Sequence, residues 1–175
     1  MKKAVVFAGI RYPQEKQDYY LNLAYQTGKI LAQKNFIVIS GSGSGLMEAV
    51  LKGAVEAGGR TVGVALNLEG RNPSSYAQEV FCYDRLTDRQ QKLIELGDVF
   101  IALPGGIGTL HEICDVIVQK KLKLIPFEKK LILVGDYYKN FCKLLNGITN
   151  DGFTNIPLEN FFQVINCPEE IDQVI

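Results

Sequence analysis

The chain has 175 residues, of which 47% are hydrophobic and 22% are charged, a size and composition typical of one domain with a substantial core. Lysine plus arginine and aspartate plus glutamate number 19 each, so the net charge predicts neither a nucleic-acid partner nor an anionic membrane surface. The four cysteines form no C-x-x-C pair and His111 is the single histidine, so neither a disulfide framework nor a zinc or multi-histidine metal site is predicted.

The first apolar run, from Ala4 to Ala8, predicts a buried strand that ends at Gly9. At about six residues the N-terminal apolar stretch is too short for a signal peptide or a membrane span. We therefore expect a cytoplasmic protein with no membrane partner, folded as one domain over residues 1–175. Apolar residues at helical spacing over Asp18 to Gln33 predict the first helix.

A second strand, Phe36 to Ile39, is followed by a glycine-rich loop, Ser40 to Gly45, and by a helix over Leu46 to Ala57. This loop is either a tight turn or part of a ligand site, because its glycines lack the G-x-G-x-x-G spacing of dinucleotide-binding loops. No acidic residue ends the next strand, as an NAD site requires, so NAD is not expected. Met47 is either a core residue or a contact to a base.

Thr61 to Leu66 and Val80 to Tyr83 predict two more strands. Between them, the polar residues Asn67 to Gln78 form a loop that could close over a ligand. The next helix is predicted over Thr87 to Leu96, and Thr87-Asp-Arg-Gln90 matches a capping box at its start.

Arg89 falls in the first turn of this helix, where the helix dipole disfavours a positive charge. It is either a solvated surface residue or a guanidinium that binds a phosphate or a ribose hydroxyl at the sheet edge. Arg85, four residues earlier, is a second candidate for the same role.

The stretch from Val99 to Leu103 is apolar throughout and predicts a central strand, which Pro104 ends. Three glycines follow, and Thr109 is predicted to cap a helix over 109–121. Unpaired amides and the helix dipole together make such a loop an anion site. A phosphate is therefore expected at Gly105, Gly106, Ile107, Gly108 and Thr109.

Glu112 ends the pattern Thr-x-x-Glu, which is itself a capping box. Its carboxylate either reaches back to a backbone amide or faces a ligand, where it could hold a sugar hydroxyl or stabilise positive charge at an anomeric carbon. The neighbouring His111 is expected to be exposed or to pack against other residues rather than to act in catalysis.

The remaining elements continue the alternation of strands and helices. They are a strand over Leu131 to Val134, a helix over Tyr138 to Leu145, an apolar run over Phe161 to Ile165 and a helix from Pro168. This alternation predicts an α/β fold, a single-domain Rossmann-like doubly wound parallel sheet with helices on both faces. Ligands of such sheets bind beyond the carboxyl ends of the strands. The loops expected at that edge follow Ala8, Ile39, Tyr83 and Leu103.

Together these motifs resemble the Lonely Guy family, the cytokinin-activating nucleoside 5′-monophosphate phosphoribohydrolases, over nearly the whole chain. Pro104-Gly-Gly-Ile-Gly-Thr-Leu-His-Glu112 matches the family's P-G-G-x-G-T-x-x-E at every fixed position. Gly43-Ser-Gly-Leu-Met-Glu48 is similar to the family's second glycine loop, and Arg89 stands where the arginine of its M-H-x-R-K segment stands.

Three segments depart from the family pattern. Leu86, Thr87 and Gln90 replace the methionine, histidine and lysine of the M-H-x-R-K segment. The N-terminal loop reads Ala8-Gly-Ile-Arg11 instead of C-G-S-S, and Ser40-Gly-Ser42 replaces a triple glycine. These differences leave open which base the protein recognises.

The resemblance implies hydrolysis of the N-glycosidic bond of a nucleoside 5′-monophosphate, of the AMP or cytokinin nucleotide type, to a free base and ribose 5-phosphate, without a metal or a cofactor. Glu112 would hold ribose hydroxyls and stabilise the cationic sugar or orient water, and Arg89 would position the sugar phosphate or the departing base. Further substrate contacts are expected from Gly9, Gly43, Gly45 and Met47.

The family forms homodimers, which implies the same for this chain. The helix after Thr109 has apolar residues that could lie at an interface or inside the monomer, namely Leu110, Ile113, Val116, Ile117 and Leu122. Many members carry the label lysine decarboxylase, but the motif supplies no pyridoxal phosphate site. The alternative to hydrolysis is a carrier or sensor that binds a nucleotide or a molybdenum cofactor at the same loop without cleaving it.

Overall fold

A computed structural model describes residues 1–175 and contains one sheet of seven parallel strands. The strands are β1 (Lys3–Phe7), β2 (Ile37–Ser40), β3 (Thr61–Leu66), β4 (Glu79–Tyr83), β5 (Val99–Ala102), β6 (Lys130–Val134) and β7 (Gln163–Ile165). The α-helices are α1 (Gln17–Gln33), α2 (Leu46–Glu56), α3 (Leu86–Leu96), α4 (Ile107–Lys121), α5 (Lys139–Asn150) and α6 (Ile171–Val174). The predicted α/β fold is confirmed.

The order of the strands places β1 at the centre of the sheet. The order is β4-β3-β2-β1-β5-β6-β7, so Val5 of β1 pairs with Ile39 of β2 on one side and with Phe100 of β5 on the other. The chain builds outward from β1 to β4 and then crosses back to β5. The loops after β1 and β5 therefore diverge, and this reversal point is where doubly wound sheets bind ligands.

Helices cover both faces of the sheet. Successive residues of each strand point to opposite sides, so the apolar strands present side chains that must be buried on both faces. In β1, Ala4 and Val6 join a cluster of 22 buried residues that includes side chains of α1 and α2. Val5 and Phe7 join a second cluster of 18 buried residues with side chains of α3, α4 and α5. None of the helices combines the length and the hydrophobicity that a membrane span requires.

The starts of two helices differ from the predictions. Helix α3 begins at Leu86 and α4 at Ile107, so Thr87 and Thr109 lie inside their helices. The N-cap residues are Arg85 and Gly106, and neither helix start has a side-chain capping hydrogen bond. Neither capping box forms. Gln90 and Thr109 are buried and Glu112 bonds to Arg89, whereas the exposed Thr87 donates a hydrogen bond to its neighbour Asp88.

The C-terminal third also differs in detail. A 3₁₀ turn, Asp136–Tyr138, precedes α5 where the sequence predicts the start of the helix. The apolar run at Phe161 divides into a 3₁₀ turn, Leu158–Phe161, and the short strand β7. The predicted C-terminal helix begins with a 3₁₀ turn at Pro168.

Close packing of α1 on α2 yields a stability prediction. A Cβ on Gly28 of α1 would collide with the carbonyl group of Val50 of α2, whereas a Cβ on Gly147 of α5 would meet nothing within 4 Å. We expect Gly28→Ala to lower the free energy of unfolding by about 2 kcal/mol or more, because the helices must separate. The matched Gly147→Ala should raise it by about 0.5–1 kcal/mol. Urea unfolding checks both, and equal effects would contradict the packing argument.

Candidate active site

Three loops meet at the carboxyl edge of the sheet, and Gly9 joins them. The Gly9 amide donates to the Pro104 carbonyl at 3.1 Å, and the Gly9 carbonyl accepts from the Leu46 amide at 3.1 Å. A Cβ on Gly9 would lie 2.9 Å from the Gly105 Cα. Gly45, with φ +70°, would collide with the Ile10 carbonyl if it carried a side chain. Glycine is therefore needed here, because the loop backbones touch each other.

The loop at residues 105–109, called here the 105–109 loop, leads directly into α4. The first hydrogen bond of α4 runs from the Leu110 amide to the Gly106 carbonyl, so the amides of the three preceding helical residues, 107–109, have no intrahelical partners. Thr109 is buried, and a Cβ on Gly105 would collide with its Oγ1. Thr109 is thus not the N-cap but the third residue of the helix, with its hydroxyl turned back against the loop.

Gly106 and Gly108 differ from the other loop glycines. A Cβ on either would meet nothing within 4 Å, and neither has a positive φ. The fold therefore does not require glycine at these two positions. The open space beside them lies next to the unpaired amides of α4, where an anion can approach the backbone closely.

Arg89 and Glu112 form a buried ion pair across the same edge. Arg89 Nη1 lies 3.0 Å from Glu112 Oε1, and each side chain is only 10% exposed. The Nε of Arg89 donates to the Val64 carbonyl at 2.9 Å. The interpretations of Arg89 as a solvated surface residue and of Glu112 as a helix cap are both wrong. Arg85, the second candidate, is exposed and lies outside this pair.

The environment of Glu112 raises the pKa of its carboxyl group. Burial is the main cause, because it disfavours the charged form, and the Arg89 guanidinium opposes it by favouring that form. His111 is exposed on the next position of α4, as predicted. The arrangement is a carboxyl group in a largely dry site, held by one guanidinium, on the helix that begins at the 105–109 loop. Such a group can hold a hydroxyl or stabilise a developing positive charge.

The second glycine loop packs against Arg89 and Met47. A Cβ on Gly41 would collide with Nη2 of Arg89, and one on Gly43 would lie 2.5 Å from Cε of Met47. Met47 is buried in the core cluster, which agrees with its interpretation as a core residue. Gly41 and Gly43 therefore leave the space that the Arg89 and Met47 side chains occupy.

The polar loop over 67–78 is anchored at one end. The Ser74 amide donates to the Ser42 carbonyl at 3.0 Å and to its Oγ at 3.1 Å. Ser42 adopts a left-handed conformation with φ +58°, and Ser74 is buried while residues 68–72 are exposed. The second half of this loop is thus held against the second glycine loop.

Two residues of the site, Tyr137 and Tyr138, were not predicted from the sequence. The Tyr138 hydroxyl donates to the Leu103 carbonyl at 2.6 Å, and the Tyr137 hydroxyl donates to the Gly105 carbonyl. Burial raises the pKa of Tyr138, and the nearby Tyr137 and Glu112 raise it further. The sequence places them two residues or more after the predicted strand over Leu131 to Val134, and only the structure shows that this strand pairs with β5.

Not every polar group at this edge has a partner. Gln90, next to Arg89, is buried and neither its amide nitrogen nor its amide oxygen has a hydrogen bond within the chain. No group of three or more His, Cys, Asp or Glu side chains is arranged to hold a metal ion.

The helix α4 divides its apolar residues between the core and the surface. The sequence allowed these residues to lie either at an interface or inside the monomer. The structure buries three of them in the monomer, namely Ile113, Val116 and Ile117. The exposed apolar residues of the helix and its end are Ile107, Val118 and Leu122, at 84%, 49% and 62% exposure.

Comparisons with known proteins find relatives over most of the chain. A family model described as "possible lysine decarboxylase" matches residues 47–175. A probable cytokinin riboside 5′-monophosphate phosphoribohydrolase of Oryza sativa is 31% identical over 159 residues, which are 89% of this chain and 64% of that protein. The chain thus spans a little under two thirds of the rice protein.

Two further comparisons cover more of the matched proteins. The cytokinin riboside 5′-monophosphate phosphoribohydrolase of Rhodococcoides fascians is 31% identical over 158 residues, 87% of this chain and 78% of that protein. The structure of a molybdenum cofactor binding protein of Rippkaea orientalis superposes with a TM-score of 0.73 at 22% identity, over 99% of this chain and 95% of that chain. This last likeness concerns the fold alone.

The buried ion pair yields a pH-dependent stability prediction. We expect Arg89→Met to lower the free energy of unfolding by about 3–5 kcal/mol at neutral pH, because Glu112 is then buried without a partner. Burial raises the folded-state pKa of Glu112 and Arg89 opposes that rise, so removing Arg89 should raise this pKa further. The folded variant then binds the proton more tightly than its unfolded chain does, and the loss should shrink as the pH falls through the variant's raised pKa. Urea unfolding at several pH values measures this loss.

The matched control is Arg89→Met combined with Glu112→Gln, which has no titrating group at this position. On acidification, the Arg89→Met variant should recover part of its lost free energy of unfolding, and the double variant should show no such recovery. Identical pH profiles for the two variants would show that the carboxyl group does not govern the effect.

Proposed function

The chain belongs to the family of cytokinin riboside 5′-monophosphate phosphoribohydrolases, the Lonely Guy family, and from this membership we propose that it hydrolyses a nucleoside 5′-monophosphate to a free base and ribose 5-phosphate. Water adds to the anomeric carbon, the N-glycosidic bond breaks, and the base leaves with a proton. The observation that carries the proposal is the buried Arg89–Glu112 pair beside the start of α4.

The 5′-phosphate is assigned to the 105–109 loop. The free amides at the start of α4 and the helix dipole favour an anion there. The open space beside Gly106 and Gly108 supports this assignment, because the fold itself leaves no other reason for glycine at those positions. The Thr109 hydroxyl, turned back against the loop, is an additional donor.

Glu112 is assigned to the sugar. It lies five residues after the start of α4 at Ile107, so it is roughly 7.5 Å further along the helix axis. This separation suits a ribose that lies between the phosphate and the carboxyl group. The transition state has positive charge on the sugar ring, which a carboxylate stabilises strongly in a dry site. Arg89 holds the carboxylate, and in this proposal it also contacts the phosphate or the departing base.

Gly9, Gly43, Gly45 and Met47 serve the substrate indirectly in this proposal. Gly9 and Gly45 let the three loops approach one another, and Gly43 leaves room for Met47 beneath it. These residues therefore shape the cleft rather than bind the nucleotide through side chains. We do not propose lysine decarboxylation, because the site residues named above include no lysine to form a Schiff base.

The proposal predicts that Glu112→Gln lowers turnover of AMP by roughly a hundredfold or more while the fold survives. Release of free base from AMP and other monophosphates measures this. Asp115→Asn, one turn further along α4, where Asp115 accepts a hydrogen bond from Gln119, is the matched control and should keep wild-type turnover. Tight binding of AMP by the wild type without release of base would support a carrier or sensor instead.

The same assay across pH tests the charge state of Glu112. Because catalysis needs the ionised carboxylate and its pKa is raised, kcat/KM should fall on acidification at a pH above the ordinary glutamate pKa of about 4.3. An acid limb at or below that value would contradict this role.

We propose further that the protein forms a homodimer through the exposed face of α4. Ile107, His111, Cys114, Val118 and Leu122 are spaced three or four residues apart and all are exposed. This spacing places them on one side of the helix, and an apolar stripe of this kind is suited to a two-fold contact.

The dimer proposal predicts that Val118→Asp converts the protein to a monomer, because a carboxylate would be buried at the centre of the contact. Light scattering coupled to gel filtration measures the mass. Lys143→Asp on α5, also exposed, is the control and should leave the mass unchanged. A wild type that elutes as a monomer would contradict the proposal.

A further inference from the structure

The two tyrosines after β6 contact the backbone of the 105–109 loop from the neighbouring strand. Because β6 pairs with β5 in parallel register, Leu133 opposite Ala102, the loops that follow the two strands lie side by side. Gly135, with φ +91°, turns the chain after β6. The 3₁₀ turn Asp136–Tyr138 then presents Tyr137 and Tyr138 in succession.

Both hydroxyls donate to carbonyl groups of this neighbouring segment. Tyr138 is 1% exposed and its hydroxyl bonds to the carbonyl of Leu103, the last residue before Pro104. Tyr137 is 49% exposed and its hydroxyl bonds to the carbonyl of Gly105. The rings pack edge to face, with centroids 5.2 Å apart. Neither hydroxyl proton is left for a ligand.

The bond to Gly105 controls the direction of one amide. The carbonyl of Gly105 and the amide of Gly106 belong to the same planar trans peptide, so they point in opposite directions. Glycines flank this peptide on both sides, and without a Cβ on either residue its rotation is cheap. Tyr137 opposes that rotation, since turning the peptide would break its hydrogen bond.

We propose that Tyr137 and Tyr138 are positioning residues that hold the carbonyls of Leu103 and Gly105, so that the Gly106 amide and the start of α4 stay aimed at the substrate phosphate. This inference rests on the proposed function for the location of the phosphate. The Tyr137 hydroxyl also partly neutralises the negative partial charge of the Gly105 carbonyl oxygen, which would otherwise repel a nearby anion.

Tyr137→Phe is the direct test, because it removes the hydroxyl and keeps the ring. We expect the dissociation constant for ribose 5-phosphate, measured by calorimetry, to rise about fivefold to tenfold, as for one lost hydrogen bond. KM for AMP should rise by a similar factor while kcat changes less than about twofold. A tyrosine that served stability alone would change the melting temperature and leave this KM-against-kcat split absent.

Tyr25→Phe is the matched control. The Tyr25 hydroxyl donates to Glu56 at 2.7 Å, between α1 and α2 and away from the site, so its loss should leave both affinity and KM unchanged. Tyr138→Phe leaves the buried Leu103 carbonyl without its donor, and we expect a lower melting temperature together with weaker ribose 5-phosphate binding.

The outcomes separate the inference from the proposed function. Unchanged ribose 5-phosphate affinity in Tyr137→Phe overturns the positioning role, even if the wild type hydrolyses AMP. Weaker affinity in the variant supports it, even if the wild type releases no base, in which case hydrolysis alone fails. A wild type that does not bind ribose 5-phosphate overturns the phosphate assignment and the positioning role together.

Discussion

The constraint on which this structure depends is the contact of backbone with backbone at the centre of the sheet edge. β1 lies between β2 and β5, and the loops leaving all three strands meet at Gly9. The Gly9 amide and carbonyl are both used there, one toward Pro104 and the other toward Leu46. Side chains at this point would force the loops apart, and the 105–109 loop would lose its close contact with Gly9.

The buried Arg89–Glu112 pair depends on this arrangement. Bringing a guanidinium and a carboxyl group out of water is costly, and their mutual attraction compensates only with good geometry and further hydrogen bonds. The Val64 carbonyl supplies such a bond to Arg89, and the absent side chain of Gly41 leaves room for the guanidinium. A pair of this cost at a sheet edge, rather than in the core, is more readily explained by chemistry than by stability.

The sequence predicted the type of each main element, since strands and helices differ in the period of their apolar residues. Its errors concern side chains whose surroundings are set by distant parts of the chain. Thr109 and Glu112 match a capping box, yet Glu112 pairs with a residue 23 positions away. Gln90 matches another capping box and is instead buried without a partner. Tyr137 lies 32 residues from the carbonyl that it contacts, a distance that no local pattern can bridge.

The sequence by itself determined the doubly wound sheet and the edge at which the loops gather, and it predicts an anion site at the 105–109 loop. All three follow from local rules, namely residue period, glycine freedom and the unpaired amides of a helix start. Only the tertiary structure decided that Glu112 belongs to Arg89 rather than to its own helix start. It alone also placed two tyrosines behind the loop, because strand order brings β6 beside β5.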